Sequence, residues 1–346
     1  MDSTPTDPAG EETLQRLWAR GCDFLGTPTA ILGGAMSWVS ERNLVSAISN
    51  AGGFGIIACG SMDPDMLCTE IAATAALTDK PFGVNLITMH PDLDALIDVC
   101  LAKTVGHVVL AGGLPRAAQI ARIKAGGAKV LCFAPTLTFA HKLMRSGADA
   151  LIIEGMEAGG HIGPVSTSVL AQEILPEIDD VPVFVAGGIG HGEAVAAYLE
   201  MGASGCQLGT RFVCAEESIA HPDFKKRLLR AQARDAQVSS QLDPRFPVVP
   251  VRALANAASD RFLDVQRTVI AKVEAGELDQ KAAQLEIEHF WVGALRRAII
   301  DGDVDNGSVM VGQSVGMVRS EQPLAKVIAE LVAQAARALA RRNPAT

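Results

Sequence analysis

A lone imidazole among glycines is the first feature with chemical promise. In Glu154-Gly155-Met156-Glu157-Ala158-Gly159-Gly160-His161-Ile162-Gly163, four glycines surround His161. Imidazole titrates near neutrality, so a histidine in such a place can act as general base, general acid or hydrogen-bond donor. A histidine satisfied by packing or a loop carbonyl is the commoner case, but this run offers little side-chain bulk to bury one. Two further glycine-bearing words, Ala186-Gly187-Gly188-Ile189-Gly190-His191-Gly192 and Gln207-Leu208-Gly209-Thr210, each follow an apolar run and precede a helical pattern. Small residues let backbone N–H groups approach an oxyanion, and a helix N-terminus adds partial positive charge. Either turn alone is equally well explained by helix capping; the two together favour a bound phosphate. His191, at a helix start beside that phosphate, is a second histidine to watch. No pair of His, Asp or Glu has helical ligand spacing near a strand end, so no metal is expected.

Elements must hold these residues in place. From Thr27 to about Phe212 a short apolar run, a turn and a helical stretch alternate, with apolar runs at 29–35, 54–59, 82–87, 107–112, 129–135, 150–155, 183–188 and 205–210. Near-continuous apolar runs suit parallel strands covered on both faces. Eight strand–helix units predict an α/β fold, a (β/α)8 TIM barrel; an open doubly wound sheet is the weaker fit, because no GxGxxG follows the first strand. Barrel chemistry gathers at the C-terminal strand ends, and the loops after strands seven and eight are the usual phosphate site. Those ends bear Ala35, Met36 and Trp38, then Asn85, Glu154 through His161, Gly187 and Gly188, and Gln207, Leu208, Gly209 and Thr210. Asn85, Glu154 and Gln207 are polar groups whose burial demands partners. Backbone could satisfy them, as could a ring edge rich in donors and acceptors, with Met36 and Trp38 as an apolar wall. A phosphate at one side and a flat ring across the barrel mouth point to FMN.

The expected organisation is an N-terminal extension (1–26), read as a frayed arm or short helix, and an FMN-binding barrel (27–221). A helical cap (222–300), interrupted at 242–250, and a C-terminal segment and helix returning to the barrel (301–346) follow. Within the cap, Phe224-Lys225-Lys226-Arg227-Leu228-Leu229-Arg230-Ala231-Gln232-Ala233-Arg234 is basic and amphipathic. A solvated face is the bland reading of such a helix and a binding face the sharper one. Hydrophobic residues make up 49% of 346 and charged residues 20%, enough for a large core and against disorder. A net charge of −9 argues against nucleic acid as partner. Seven cysteines without a CxxC pair, several inside apolar runs, suggest buried free thiols in a reducing cytoplasm. The polar, acidic first residues do not read as a signal peptide, and no apolar run approaches membrane-spanning length.

Five words in order complete the picture: Gly83-Val84-Asn85-Leu86, the His161 run, Val185 through Ala194, Gln207 through Ser218, and Gly302 through Val318. Together they resemble the nitronate monooxygenase family (formerly 2-nitropropane dioxygenases), which includes the FMN-dependent enoyl-acyl-carrier-protein reductases of the second type. The resemblance extends from about residue 28 to 335. It implies an FMN barrel with a small helical cap, and flavin contacts at Ala35, Met36, Asn85, Glu154, Gly159, Gly188 and Gln207 through Thr210. It also implies His161 as the catalytic histidine. The implied reaction oxidises nitronates or nitroalkanes with dioxygen to a carbonyl compound and nitrite. Glu154 and Ile162 match the reductases, where monooxygenases commonly have Gln and often Arg, and Leu32-Gly33-Gly34-Ala35-Met36-Ser37-Trp38 departs from both. The alternative is therefore NAD(P)H-dependent reduction of an enoyl thioester, or of a quinone, with NAD(P)H as reductant. An acidic acyl carrier protein would need a basic patch, which 224–234 could offer. The expected partner is a small-molecule substrate, with neither nucleic acid nor membrane, and a homodimer is left open.

Overall fold

A computed structural model describes residues 8–243 and 249–342. Much of the cap interruption expected at 242–250 lies outside the described residues, as do positions 1–7 of the N-terminal extension. Twelve strands occur among the described residues. They are β1 (Ile31–Gly33), β2 (Gly55–Ala58), β3 (Phe82–Ile87), β4 (His107–Ala111), β5 (Lys129–Phe133) and β6 (Ala150–Glu154). Then come β7 (Gly160–His161), β8 (Val183–Ala186), β9 (Gly205–Leu208), β10 (Ala236–Val238), β11 (Val251–Leu254) and β12 (Val309–Met310).

Eight of them form one parallel sheet in the order β1-β9-β8-β6-β5-β4-β3-β2. The two edges meet where Phe54 N–H donates to Ile31 O at 2.8 Å and Gly33 N–H to Phe54 O at 2.9 Å, which turns the sheet into a barrel. Each of the eight apolar runs provides one barrel strand, and the (β/α)8 expectation holds. The reason is visible in burial: Ile31, Leu32, Leu151, Ile152 and Ile153 are each 0% exposed, with the barrel interior on one side and helices on the other.

The N-terminal segment, read as a frayed arm or short helix, is a helix and a longer, more buried one than that reading gave. It forms the helix Pro8–Leu25, in which Leu14, Trp18, Gly21 and Leu25 recur at helical spacing and are buried. Its far end closes the bottom of the barrel. The Phe24 ring stands 5.4 Å from the His107 ring and 6.1 Å from Phe184, and His107 Nε2–H donates to Phe24 O at 2.9 Å. Burial pulls the His107 pKa down to about 4, so that imidazole is a neutral structural donor. A mostly polar composition hid a narrow but continuous apolar stripe. At the other end of the chain, helix Leu324–Arg342 buries Leu324, Val327, Ile328, Leu331 and Leu339 and returns to the barrel.

The cap contains the expected helices Pro222–Leu229, Ala257–Glu274 and Gln280–Ile299. It also contains β10 and β11, which the helical pattern did not suggest. These join β12 and β7 in a small antiparallel sheet centred on β11. Strands of two to four residues are too short to show a period of two, so pairing rather than sequence pattern defines them. A separate apolar cluster of Val251, Phe262, Val269, Ile287 and Trp291 holds the cap together, with the Phe262 and Trp291 rings 4.3 Å apart. No helix among the described residues is long and apolar enough to cross a membrane.

Candidate active site

The C-terminal strand ends open into a cavity of about 860 Å³ roofed by the cap. Most of the residues singled out from the sequence line it: His161, Ala35, Met36, Trp38, Asn85, Glu154, Gly159, Gly187, Gly188, Gln207, Leu208, Gly209 and Thr210. His191 does not; it precedes helix Gly192–Glu200 with its ring 3.7 Å from Glu193. The cysteines do not line it either. They are free, and burial pushes Cys59, Cys100, Cys132 and Cys214 up to about 12, far from a nucleophilic thiolate.

Three polar side chains stand out on the floor. Asn85 sits inside β3 rather than at its end, but in register with Ala58 at the end of β2. Glu154, Ala186 and Gln207 are register partners across β6, β8 and β9. Asn85 and Gln207 are only 5% and 6% exposed, and neither they nor Glu154 make a side-chain hydrogen bond to any described residue. All three side chains line the open cavity, which leaves their donors and acceptors available to a ligand there.

Glu154 bears a further mark. Burial raises its carboxyl from 4.5 to about 8, which favours a neutral acid able to donate a hydrogen bond. Between those two values the folded chain binds this proton more readily than the unfolded chain does. The resulting stabilisation is complete below pH 4.5 and is lost as pH rises towards 8. In flavin-free protein, Glu154→Gln is expected to flatten that decline, so that the wild type loses a few degrees more of Tm between pH 5 and 8. Parallel Tm–pH curves would show a carboxyl already ionised in the fold.

The loops after β8 and β9 both line the cavity. Gly188 has φ +71°, and the N–H groups of Gly188, Ile189 and Gly209 donate to no carbonyl among the described residues. By contrast, Gly192 N–H is taken by Gln334 Oε1 at 2.8 Å, so the start of helix Gly192–Glu200 is not part of the cradle. Thr210 Oγ1 accepts from Gly312 N–H at 2.9 Å and ties the cradle to the C-terminal segment. Gly159 lines the cavity, yet the atoms a Cβ would strike there are the backbone of Val311 and Gly312. That glycine therefore serves a crossing of two chain segments, a role not foreseen from the sequence.

His161 is aimed by the cap. Its strand β7 pairs with β11, His161 opposite Val251 and Gly160 opposite Arg252, and Ile162 N–H donates to Pro250 O at 2.9 Å. Arg252, 4% exposed, reinforces the junction: its Nε donates to Met156 O at 2.9 Å and its Nη1 to Ala236 O. Trp38 lies across the cavity at φ +67°, a strained conformation for a bulky residue, with its indole N–H buried and unpartnered among the described residues. Met36 stands beside it, and Ser40 Oγ pins this loop by accepting from Met36 N–H and donating to Gly34 O. The sequence reading missed the roof: Phe224, Trp291, Leu295 and Ile299 also line the cavity. The last three fall at i, i+4 and i+8, a one-face signal that could have marked them.

A parallel barrel with a glycine cradle, unpartnered polar groups and one histidine at its mouth is the architecture of a barrel oxidoreductase. The nitronate monooxygenase family pattern matches residues 20–96 and 92–334, and the chain belongs to that family. A (3aS,4S,5R,7aS)-5-hydroxy-7a-methyl-1-oxo-octahydro-1H-indene-4-carboxyl-CoA dehydrogenase of Rhodococcus jostii is 37% identical over 221 residues, 64% of this chain but only 62% of that relative. The enzyme of the same name from Mycobacterium tuberculosis is 30% identical over 90% of this chain and 93% of its own length. Among solved structures, FabK from Thermotoga maritima superposes with a TM-score of 0.83 at 36% identity, covering 94% of this chain and 98% of that one. Nitroalkane oxidase from Streptomyces ansochromogenes gives a TM-score of 0.76 at 28% identity, covering 91% and 98%.

Proposed function

We propose that this oxidoreductase holds FMN in the central cavity and works in the manner of a nitronate monooxygenase. The observation that carries the reading is the trio of buried Asn85 and Gln207 with half-buried Glu154, without side-chain partners among the described residues and facing the same cavity as the glycine cradle. When bound, FMN supplies an electron acceptor on a flat ring whose edge offers donors and acceptors. The amides of Asn85 and Gln207 match that edge, and the neutral Glu154 carboxyl adds a donor. The N–H groups of Gly188, Ile189 and Gly209 would hold the phosphate, while Met36, Trp38 and the roof residues exclude water. His161 takes the proton from the carbon beside the nitro group when substrate arrives as a neutral nitroalkane, and holds the anion when it arrives as a nitronate. Buried free thiols support a reducing, cytoplasmic setting.

A second reading, oxidoreduction of an acyl thioester, is favoured by the carboxyl-CoA substrate in the names of the Rhodococcus and Mycobacterium relatives. A thioester carbonyl also acidifies the neighbouring carbon, so His161 keeps its role. Anaerobic stopped-flow separates the two. Nitronate is expected to bleach the flavin absorbance; bleaching by an acyl-CoA or by NAD(P)H, with nitronate inert, would replace the first reading by the second.

A further inference from the structure

We propose that a basic hollow beside the cap binds an adenosine diphosphate bearing an additional ribose phosphate, the group shared by coenzyme A thioesters and NADPH. The inference goes beyond the reading of the cavity and rests on it only in taking that cavity as the place where the ligand's reacting group arrives.

The hollow encloses about 250 Å³ and is lined by Arg227, Arg230, Asp235, Gln237 and Leu254. Five cations and one carboxylate fall between 225 and 235, in a chain of net charge −9. Of these cations, Lys225 is spent internally, on Ala215 O at 2.8 Å and Glu321 at 3.3 Å. Lys226, Arg227, Arg230 and Arg234 have no carboxylate partner among the described residues. Asp235 is engaged through Oδ2, which accepts from Gln232 N–H at 2.8 Å, and leaves its other oxygen for a ribose hydroxyl. Arg122 and Arg296, by contrast, are paired with Asp98 and Asp301. Unpaired guanidinium groups around a concave site suit phosphate, which they bind in bidentate fashion.

Two elements join this hollow to the reaction cavity. Phe224 lines the cavity and Arg227 and Arg230 line the hollow, so the two sites share one helical segment whose six-residue rise is about 9 Å. Likewise β11 starts at Val251, opposite His161, and ends at Leu254 in the hollow, about 10 Å along the strand. Coenzyme A and NADPH both carry the reacting group on an arm leading away from the diphosphate. Phosphates on Arg227 and Arg230 would thus direct that arm towards His161.

The test is calorimetric titration of the flavin-loaded full chain with free coenzyme A, 3′-dephospho-coenzyme A, NADPH and NADH. Coenzyme A or NADPH is expected to bind, with affinity about tenfold weaker when the ribose phosphate is missing and at least tenfold weaker again in Arg227→Glu/Arg230→Glu. Both arginines are exposed, so the variant is expected to fold and keep its flavin. Whichever ligand binds identifies the source. No binding of either, or equal binding by the variant, would overturn the proposal. Flavin content is read in the same samples. A colourless chain counts against the FMN reading, and the titration then runs on the flavin-free chain; a yellow chain indifferent to all four ligands counts against the hollow alone.

Discussion

His161→Ala is expected to cut turnover by about 10²–10⁴-fold while leaving FMN in place, the range typical of losing a general acid–base group. The separation of effects follows from geometry. The proposed phosphate contacts are backbone groups after β8 and β9, whereas His161 belongs to β7, whose hydrogen bonds run to the cap strand β11. Truncation at Cβ leaves that backbone pairing intact, so the loop keeps its position and only the imidazole is lost. Flavin absorbance and turnover, measured on the same preparation, check both halves. Loss of flavin with unchanged turnover per bound flavin would show that His161 acts in cofactor retention instead.

Gly188→Asp is expected to expel FMN, with an affinity loss on the order of 10⁴-fold. Two costs combine. At φ +71° an L residue is strained by roughly 1–2 kcal/mol, and a Cβ there would stand 2.9 Å from Glu157 Cβ. A carboxylate facing a phosphate at about 4 Å adds repulsion of about 4 kcal/mol per unit charge at an effective dielectric near 20. Gly188→Asn separates the two, since Asn fills the same space and tolerates the left-handed region without charge. The Asn variant is expected to retain flavin partially. Full occupancy in the Asp variant would place the phosphate elsewhere, and equal loss in both would assign the effect to backbone strain.

The barrel was legible because each strand is an uninterrupted apolar run, a signal that survives without tertiary context. The floor residues Asn85, Glu154 and Gln207 were legible for the converse reason, as polar groups at or near the ends of apolar runs. Helix Pro8–Leu25 was not, because Leu14, Trp18 and Leu25 are few among charged neighbours and gain meaning only against the barrel. Strands β7, β10, β11 and β12 were invisible because a two- to four-residue strand is defined by its partner. For the same reason the sequence placed His161 in a loose glycine loop, whereas the fold makes it the edge of a sheet. Gly159 shows the limit of reading glycines by ligand alone, since its missing side chain makes room for Val311 and Gly312.

The pairing of β7 with β11 has an evolutionary corollary. An insertion that reshapes the roof for a different substrate also touches the strand that aims the imidazole, so selectivity and proton handling are inherited as one unit. Chimaeras that exchange residues 222–300 between homologues would transplant both traits together, and drift in one would drag the other with it.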